Sequence, residues 1–267
     1  MTGGSAGIGR ATALGLAGPG THLVLLGRSE ERAAEVLEEA WHAGATADFA
    51  PVDLASLESV AEAAPTVAAF GAIDLLIADA GVAGVRGATA DGFEIAFGVN
   101  HLGHHLLVRL LMPQVRKATA PRVVVVSSDA HRGASAIDWD ALRRPTRSIT
   151  GITEYQVSKL CNVLHVRELA RREPEVDVYA VHPGMVATDI WRRVPQPARW
   201  LMTRRMLEPE VGAETVLHCA TDPAAAGRSG TYWARMEVQE PSEQAGDDAL
   251  ATELWERSEG WTSGFAG

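Results

Sequence analysis

Tyr155 and Lys159 stand four residues apart in Tyr-Gln-Val-Ser-Lys, a spacing that places both on one face of a helix. A free phenol titrates near ~10, whereas acid–base chemistry at neutral pH wants a value nearer ~7, and a neighbouring cation stabilises the phenolate. Lys159 can supply that cation. Lys117 and Lys159 are the only lysines among 24 basic residues, and there are three tyrosines, so chance predicts about 0.02 pairs at this spacing. The bland alternative is an exposed pair on a helix surface.

A second chemistry-bearing stretch, Thr2-Gly3-Gly4-Ser5-Ala6-Gly7-Ile8-Gly9, precedes an alanine-rich segment. Glycines let backbone amides approach a phosphate closely, and a helix N-terminus adds orphan donors and a partial positive charge. Gly3, Ser5, Gly7, Ile8 and Gly9 are therefore candidates for a pyrophosphate cradle, with a plain turn as the alternative. The T-G-x-x-x-G-x-G spacing matches neither G-x-G-x-x-G nor the P-loop. Further on, a strand at 22–26 ends in Gly27-Arg28-Ser29, where an NAD-binding chain would carry an acidic residue for the ribose. Arg28 can instead fork onto a 2′-phosphate, which favours NADP(H) over NAD(H); alternatively it is a surface residue paired with Glu30 or Glu31. Asp53, followed by Leu54, can accept from the adenine amino group or cap a helix.

These groups need a scaffold, and the pattern supplies one. Strand-like runs at 22–26, 47–52, 73–78, 122–127, 177–181 and 231–234 alternate with helix-like stretches at 8–17, 29–43, 56–70, 91–115, 153–172 and 209–219. Alternation of this kind predicts an α/β fold: one doubly wound, mostly parallel sheet covered by helices on both faces, in a single domain spanning 1–267. Irregular loops at 129–152 and 186–207 follow predicted strands and are read as substrate loops. The acidic tail after Glu237 suggests a docked helix bearing Leu250, Leu254 and Trp255.

Composition narrows the partners. The chain has 267 residues, 46% hydrophobic and 22% charged, with net charge −10, so a nucleic-acid partner is disfavoured. No apolar run approaches the roughly 18–20 residues of a membrane span. Only Cys161 and Cys219 are present, which argues against a disulfide framework or structural metal and fits a reducing cytoplasm. His101, His104 and His105 cluster, but no acidic third ligand lies nearby, so no metal site is expected.

With these residues in order, the chain resembles the short-chain dehydrogenase/reductase family along essentially its whole length. The glycine loop, Asp53, Ala80-Gly81, Asn100, Ser128, Tyr155, Lys159 and Pro183-Gly184 carry the resemblance. Asn100-His101-Leu102-Gly103-His104, Tyr155-x-x-Ser158-Lys159-Leu160-x-Asn162 and His182-Pro183-Gly184 are similar to the retinol-dehydrogenase and protochlorophyllide-reductase branch. The resemblance implies a catalytic tetrad of Asn100, Ser128, Tyr155 and Lys159. Tyr155 would pass its proton to a carbonyl oxygen that Ser128 polarises. Lys159 would acidify Tyr155 and hold the nicotinamide ribose, and Asn100 would anchor a relay water. Adjacent strand residues face opposite sides, so only one of Ser127 and Ser128 can point into the site; the family register selects Ser128. Pro183, Gly184, Val186 and Thr188 would lie along the nicotinamide, although Thr188 serves equally as a helix cap. Homodimers or homotetramers would form through the helices at 91–115 and 153–172.

Two positions depart from the family. Ala78-Asp79-Ala80-Gly81 stands where Asn-Asn-Ala-Gly is usual, placing an acid beside the cofactor. The strand that should precede the glycine loop has no residues here, so Met1 is expected to be an internal methionine with that strand encoded upstream. The expected function is an NADP(H)-dependent oxidoreductase acting on a carbonyl or hydroxyl group of a small, lipophilic or cyclic substrate. The alternatives are a catalytically weak dinucleotide-binding protein of the same fold, and an epimerase or dehydratase, which about 80 residues after Gly184 leave little room for.

Overall fold

A computed structural model describes residues 1–186 and 207–265. Strand β1 (His22–Gly27) pairs in parallel with β2 (Thr46–Pro51). A second set runs in parallel from β3 (Leu75–Ala78) through β4 (Arg122–Val126) and β5 (Asp177–His182) to β6 (Thr231–Ala234). The valines of β4 are buried on both faces, which is why its sequence is a continuous apolar run rather than an alternating one. Between β1 and β3 stand Met1 and Thr2. The Thr2 amide donates to the Ile77 carbonyl at 3.0 Å and the Leu26 amide to the Met1 carbonyl at 2.8 Å. Thr2 bridges Leu26 on one side and Ala78 on the other. These two residues occupy the place of the strand expected before the glycine loop.

Helices cover both faces. One core packs α1 (Gly7–Leu16) and α2 (Glu30–His42) beneath residues such as Leu25, Ile77 and Val124. The other packs α3 (Leu57–Ala68) and later helices against Leu76, Val123 and Val125. Ser29 and Ser56 cap α2 and α3, accepting from the Arg32 and Ser59 amides.

The helix expected at 91–115 is instead composite. A short turn α4 (Ile95–Phe97) runs into a π-helical turn at Gly98–Leu102 and then α5 (Gly103–Val115). Helix α6 (Ile152–Arg172) carries the Tyr/Lys pair, followed by α7 (Pro209–Thr221) and α8 (Asp248–Thr262). A short antiparallel strand β7 (Glu237–Gln239) was not expected. Its hairpin turns through Arg235 and Met236 at φ 55° and 60°, a left-handed conformation usually signalled by Asn-Gly.

The docked tail helix is α8, and it lies on the helices read as a subunit interface. Trp255 stacks on His165 with ring centroids 5.3 Å apart, the Ser258 hydroxyl lies 3.0 Å from His101 Nε2, and Glu259 lies 3.1 Å from His105 Nε2. Loop 129–152 contains short 3-10 turns at Asp129–Gly133 and Ala141–Arg143. In the loop 186–207, Val186 and Leu207 pair with one another; the residues between them, Thr188 included, lie outside the described residues. No helix among the described residues is long and apolar enough to cross a membrane, and none of their His, Cys, Asp and Glu side chains group as metal ligands.

Candidate active site

A cleft of about 680 Å³ opens along the carboxyl ends of β1, β3, β4 and β5, where open α/β sheets take their ligands. At one end it is lined by Gly3, Ser5, Gly7 and Ile8 of the glycine loop. Gly3 and Gly7 adopt φ 75° and 53°, which side chains disfavour. The N-cap of α1, Ala6, offers no side-chain acceptor, leaving the amides of the first turn free to bind an anion. Gly9 does not line the cleft. A Cβ there would stand 2.1 Å from the Gly3 carbonyl, so Gly9 lets the loop fold onto its own helix. The glycine cradle and the volume of the cleft fit a dinucleotide.

Arg28, Asp53 and Leu54 line the cleft beyond the ends of β1 and β2. Arg28 is exposed and pairs with neither Glu30 nor Glu31 among the described residues. The Asp53 carboxylate accepts from the Ala55 amide at 3.0 Å and so caps a local turn. Ala80 and Gly81 form the next wall, with Pro183, Gly184 and Val186 opposite. Ala6, Ser29 and Arg32 also line the cleft, and sequence reasoning did not single them out.

At the other end Ser128, Tyr155 and Lys159 converge. Ser128 lies close enough to Tyr155 to act on the titration of its phenol. Ser127 faces away, its hydroxyl donating to the Lys159 carbonyl at 2.9 Å. Burial raises the Tyr155 phenol above its ordinary value, with Ser128 pulling against it. The Lys159 ammonium lies 5.8 Å from the ring centroid and donates to the Val126 carbonyl at 2.8 Å. Burial draws Lys159 down to about 8 against the pull of Asp79, and pushes Asp79 up to about 7 against the pull of Lys159.

Asn100 is fully buried and does not line the cleft. From the π turn its side-chain amide donates to the Val82 carbonyl and the Ser158 hydroxyl, both at 2.9 Å, and its oxygen accepts from the Val82 amide at 2.8 Å. It clamps the segment after Gly81 to α6. A Cβ on Gly81 would stand 3.2 Å from the Asn100 amide oxygen and 3.8 Å from Lys159 Nζ, so this glycine keeps the space between them open. Sequence reasoning did not single out Asp129 or the His182 side chain, which also line this end. Their signal is adjacency, one following Ser128 and the other preceding Pro183.

The short-chain dehydrogenase family model matches residues 1–138. The chain belongs to this family. Within it the chain falls in the retinol-dehydrogenase-like branch. It is 38% identical over 278 residues to human dehydrogenase/reductase SDR family member 13, covering 97% of this chain and 71% of that protein. It is 35% identical over 277 residues to human retinol dehydrogenase 13, covering 97% of this chain and 82% of the relative. The crystal structure of an uncharacterised protein from Mycobacterium paratuberculosis superposes with a TM-score of 0.80 at 28% identity, covering 98% of this chain and 91% of that one. This short-chain dehydrogenase is therefore an oxidoreductase that binds a nicotinamide cofactor in an α/β fold.

Proposed function

We propose that this chain, acting as one nucleotide-binding domain, is an NADP(H)-dependent oxidoreductase that interconverts a carbonyl and a hydroxyl group on a small lipophilic or cyclic substrate in the cytoplasm. The observation that carries the reading is the convergence of Tyr155 and Ser128 at the end of a glycine-loop cleft, with Lys159 one turn away. The cofactor, when bound, supplies or accepts the hydride. Gly3, Ser5, Gly7 and Ile8 would hold its phosphates, Arg28 its 2′-phosphate, and Ala80, Gly81, Pro183, Gly184 and Val186 its length. Thr188 is kept in this role by the motif alone.

In reduction, Tyr155 Oη gives its proton to the carbonyl oxygen while Ser128 Oγ holds that oxygen in place. A phenol whose pKa burial raises stays protonated at neutral pH, which suits a general acid. Lys159, near neutrality in its own titration, supports the phenolate left behind and returns its proton. Asn100 holds the segment that carries Gly81 against α6 and thereby positions Lys159.

We also propose a homodimer or homotetramer, as the family resemblance implies; α8 lies on α5 and α6, the helices read as its interface. Oxidation of NADPH with a panel of aldehydes and ketones, run beside Tyr155→Phe, tests the reading. Equal rates in the two proteins would reject the role given to Tyr155.

A further inference from the structure

The residue after Ser128 is a carboxylate on the same cleft wall, and the acid–base chemistry above leaves it without work. Asp129 Oδ1 accepts from the Tyr232 hydroxyl at 2.9 Å and from Arg132 Nε at 3.2 Å. Its Oδ2 lies 3.3 Å from His182 Nε2. The groups come from three places: the turn after β4, the end of β5, and β6. His182 Nδ1 is buried without a partner, so the ring proton belongs on Nε2, pointing at the carboxylate. Burial is the largest influence on His182 and keeps it neutral at pH 7. Burial also opposes ionisation of Asp129, but His182, Tyr232 and Arg132 outweigh it and hold the carboxyl below its ordinary range.

Asp129 is thus an anion fixed in direction before any substrate arrives, with 55% of its side chain exposed where it lines the cleft. A preorganised acceptor beside the reacting carbon rewards a ligand that brings a donor and penalises one that brings a second anion. We propose that Asp129, held by His182, Tyr232 and Arg132, selects carbonyl substrates that carry a hydroxyl group next to the reacting carbon, and rejects 2-oxo acids. The proposal rests on the assignment of Ser128 and Tyr155 to that carbon. It names the substrate class of the same site: hydroxy ketones and, in the reverse direction, vicinal diols.

Three aryl ketones of matched size test it with NADPH: 2-hydroxyacetophenone, propiophenone and phenylglyoxylate. In the unmodified enzyme kcat/KM should favour the hydroxy ketone over propiophenone by roughly tenfold or more, the order gained by a hydrogen bond to a charged acceptor, with phenylglyoxylate last. Asp129→Leu should bring the ratio of the first two close to one. Asp129→Asn, which keeps an acceptor without the charge, should retain part of that ratio and raise phenylglyoxylate about tenfold relative to propiophenone. Each ratio is read within one protein, so partial misfolding of a variant cancels. Equal use of the first two ketones by the unmodified enzyme, or a ratio that survives Asp129→Leu, overturns the proposal. An unmodified enzyme that reduces other ketones but not 2-hydroxyacetophenone also overturns the proposal, whereas one that reduces no carbonyl of the wider panel overturns the assignment of Ser128 and Tyr155 on which the proposal rests.

Discussion

The Thr2 hydroxyl and His104 Nε2 lie 2.9 Å apart across 102 positions of sequence. Thr2 Oγ1 also accepts from the Asp79 and Ala80 amides at 3.1 and 3.2 Å, so its own proton is left for the imidazole. His104 therefore carries its ring proton on Nδ1, which faces the Asn100 carbonyl at 3.1 Å. Burial draws this histidine down to about 4 despite that hydrogen bond, and it stays neutral. One relay thus ties the glycine loop, the segment after β3 and the π turn together. Thr2→Val would strand two amides and a ring nitrogen, at about 1–3 kcal/mol for each group left unpaired. At about 2–4 °C per kcal/mol for a chain of this size, thermal melting should fall by at least roughly 6 °C, while Thr2→Ser should stay near the parent. Equal melting of the valine and serine variants would dismiss the relay.

Asp79 gives cofactor binding a pH dependence. A Cβ on Gly3 or Gly9 would stand 2.7 or 2.6 Å from its carboxylate oxygen, so an acid titrating at about 7 touches the loop that receives phosphates. Phosphate charge favours the protonated acid, so affinity is greatest below pH 7 and declines as the carboxylate forms. Lys159 loses charge only near 8, which leaves pH 6.5 to 7.5 to Asp79. NADPH titrations followed by fluorescence should weaken by roughly threefold across that window, within the limit of about tenfold per unit for one proton. In Asp79→Asn the affinity should be flat. A slope that persists in the variant would assign the effect elsewhere.

Tyr155→Phe removes the proton donor and leaves the ring in place. Reduction should drop by about 10²–10⁴ in kcat, the usual weight of a positioned acid, with NADPH affinity within a few-fold of the parent. Because burial raises the phenol, alcohol oxidation by the parent should climb with pH beyond the range in which reduction is already at its plateau. Coincident pH profiles in the two directions would count against Tyr155 as the titrating group.

Much of this was legible in the sequence because it is local. Four consecutive valines make β4, and the four-residue spacing of Tyr155 and Lys159 survives intact on α6. What escaped depends on distant partners or on backbone with no composition signal. The π turn that places Asn100 reads as an unbroken helix, because its wider turn is stabilised by the clamp to Val82 and Ser158. The orientation of Asp129 is decided by Tyr232, 103 positions away. Spacing reveals the cation beside Tyr155 and conceals the burial that raises the phenol.

Arg28 should decide between the two nicotinamide cofactors. Exposed at the end of β1, it contributes little to the fold, so its replacement reports on binding. Arg28→Ala should weaken NADPH by roughly 1.5–3 kcal/mol, the worth of hydrogen bonds to a charged group, and leave NADH nearly unchanged. Equal losses for both cofactors, measured as Kd, would place Arg28 away from the 2′-phosphate.

The contact between α8 and the helices beneath it should be sensitive to acid. His101, His105 and His165 are buried together, with centroid separations of 5.4 to 6.1 Å, and Trp255 covers the last two. Burial lowers all three titrations, strongly for His101 and His165. Glu259 opposes the shift at His105, while Arg109 and Arg172 add to it. An unfolded histidine binds its proton near ~6.5. Below that pH the unfolded chain takes up protons that the folded chain refuses. Stability is therefore fully present above about pH 7 and falls by about 1.4 kcal/mol per unit for each such histidine as the solution is acidified. Urea unfolding at pH 7.5 and 5.5 should differ by roughly 3–4 kcal/mol on this account. His101→Phe combined with His165→Phe should shrink the difference by roughly 2–3 kcal/mol, since an apolar ring fills the space without a proton to bind. If the doubly substituted protein loses as much stability on acidification as the parent, the pH dependence arises outside this cluster.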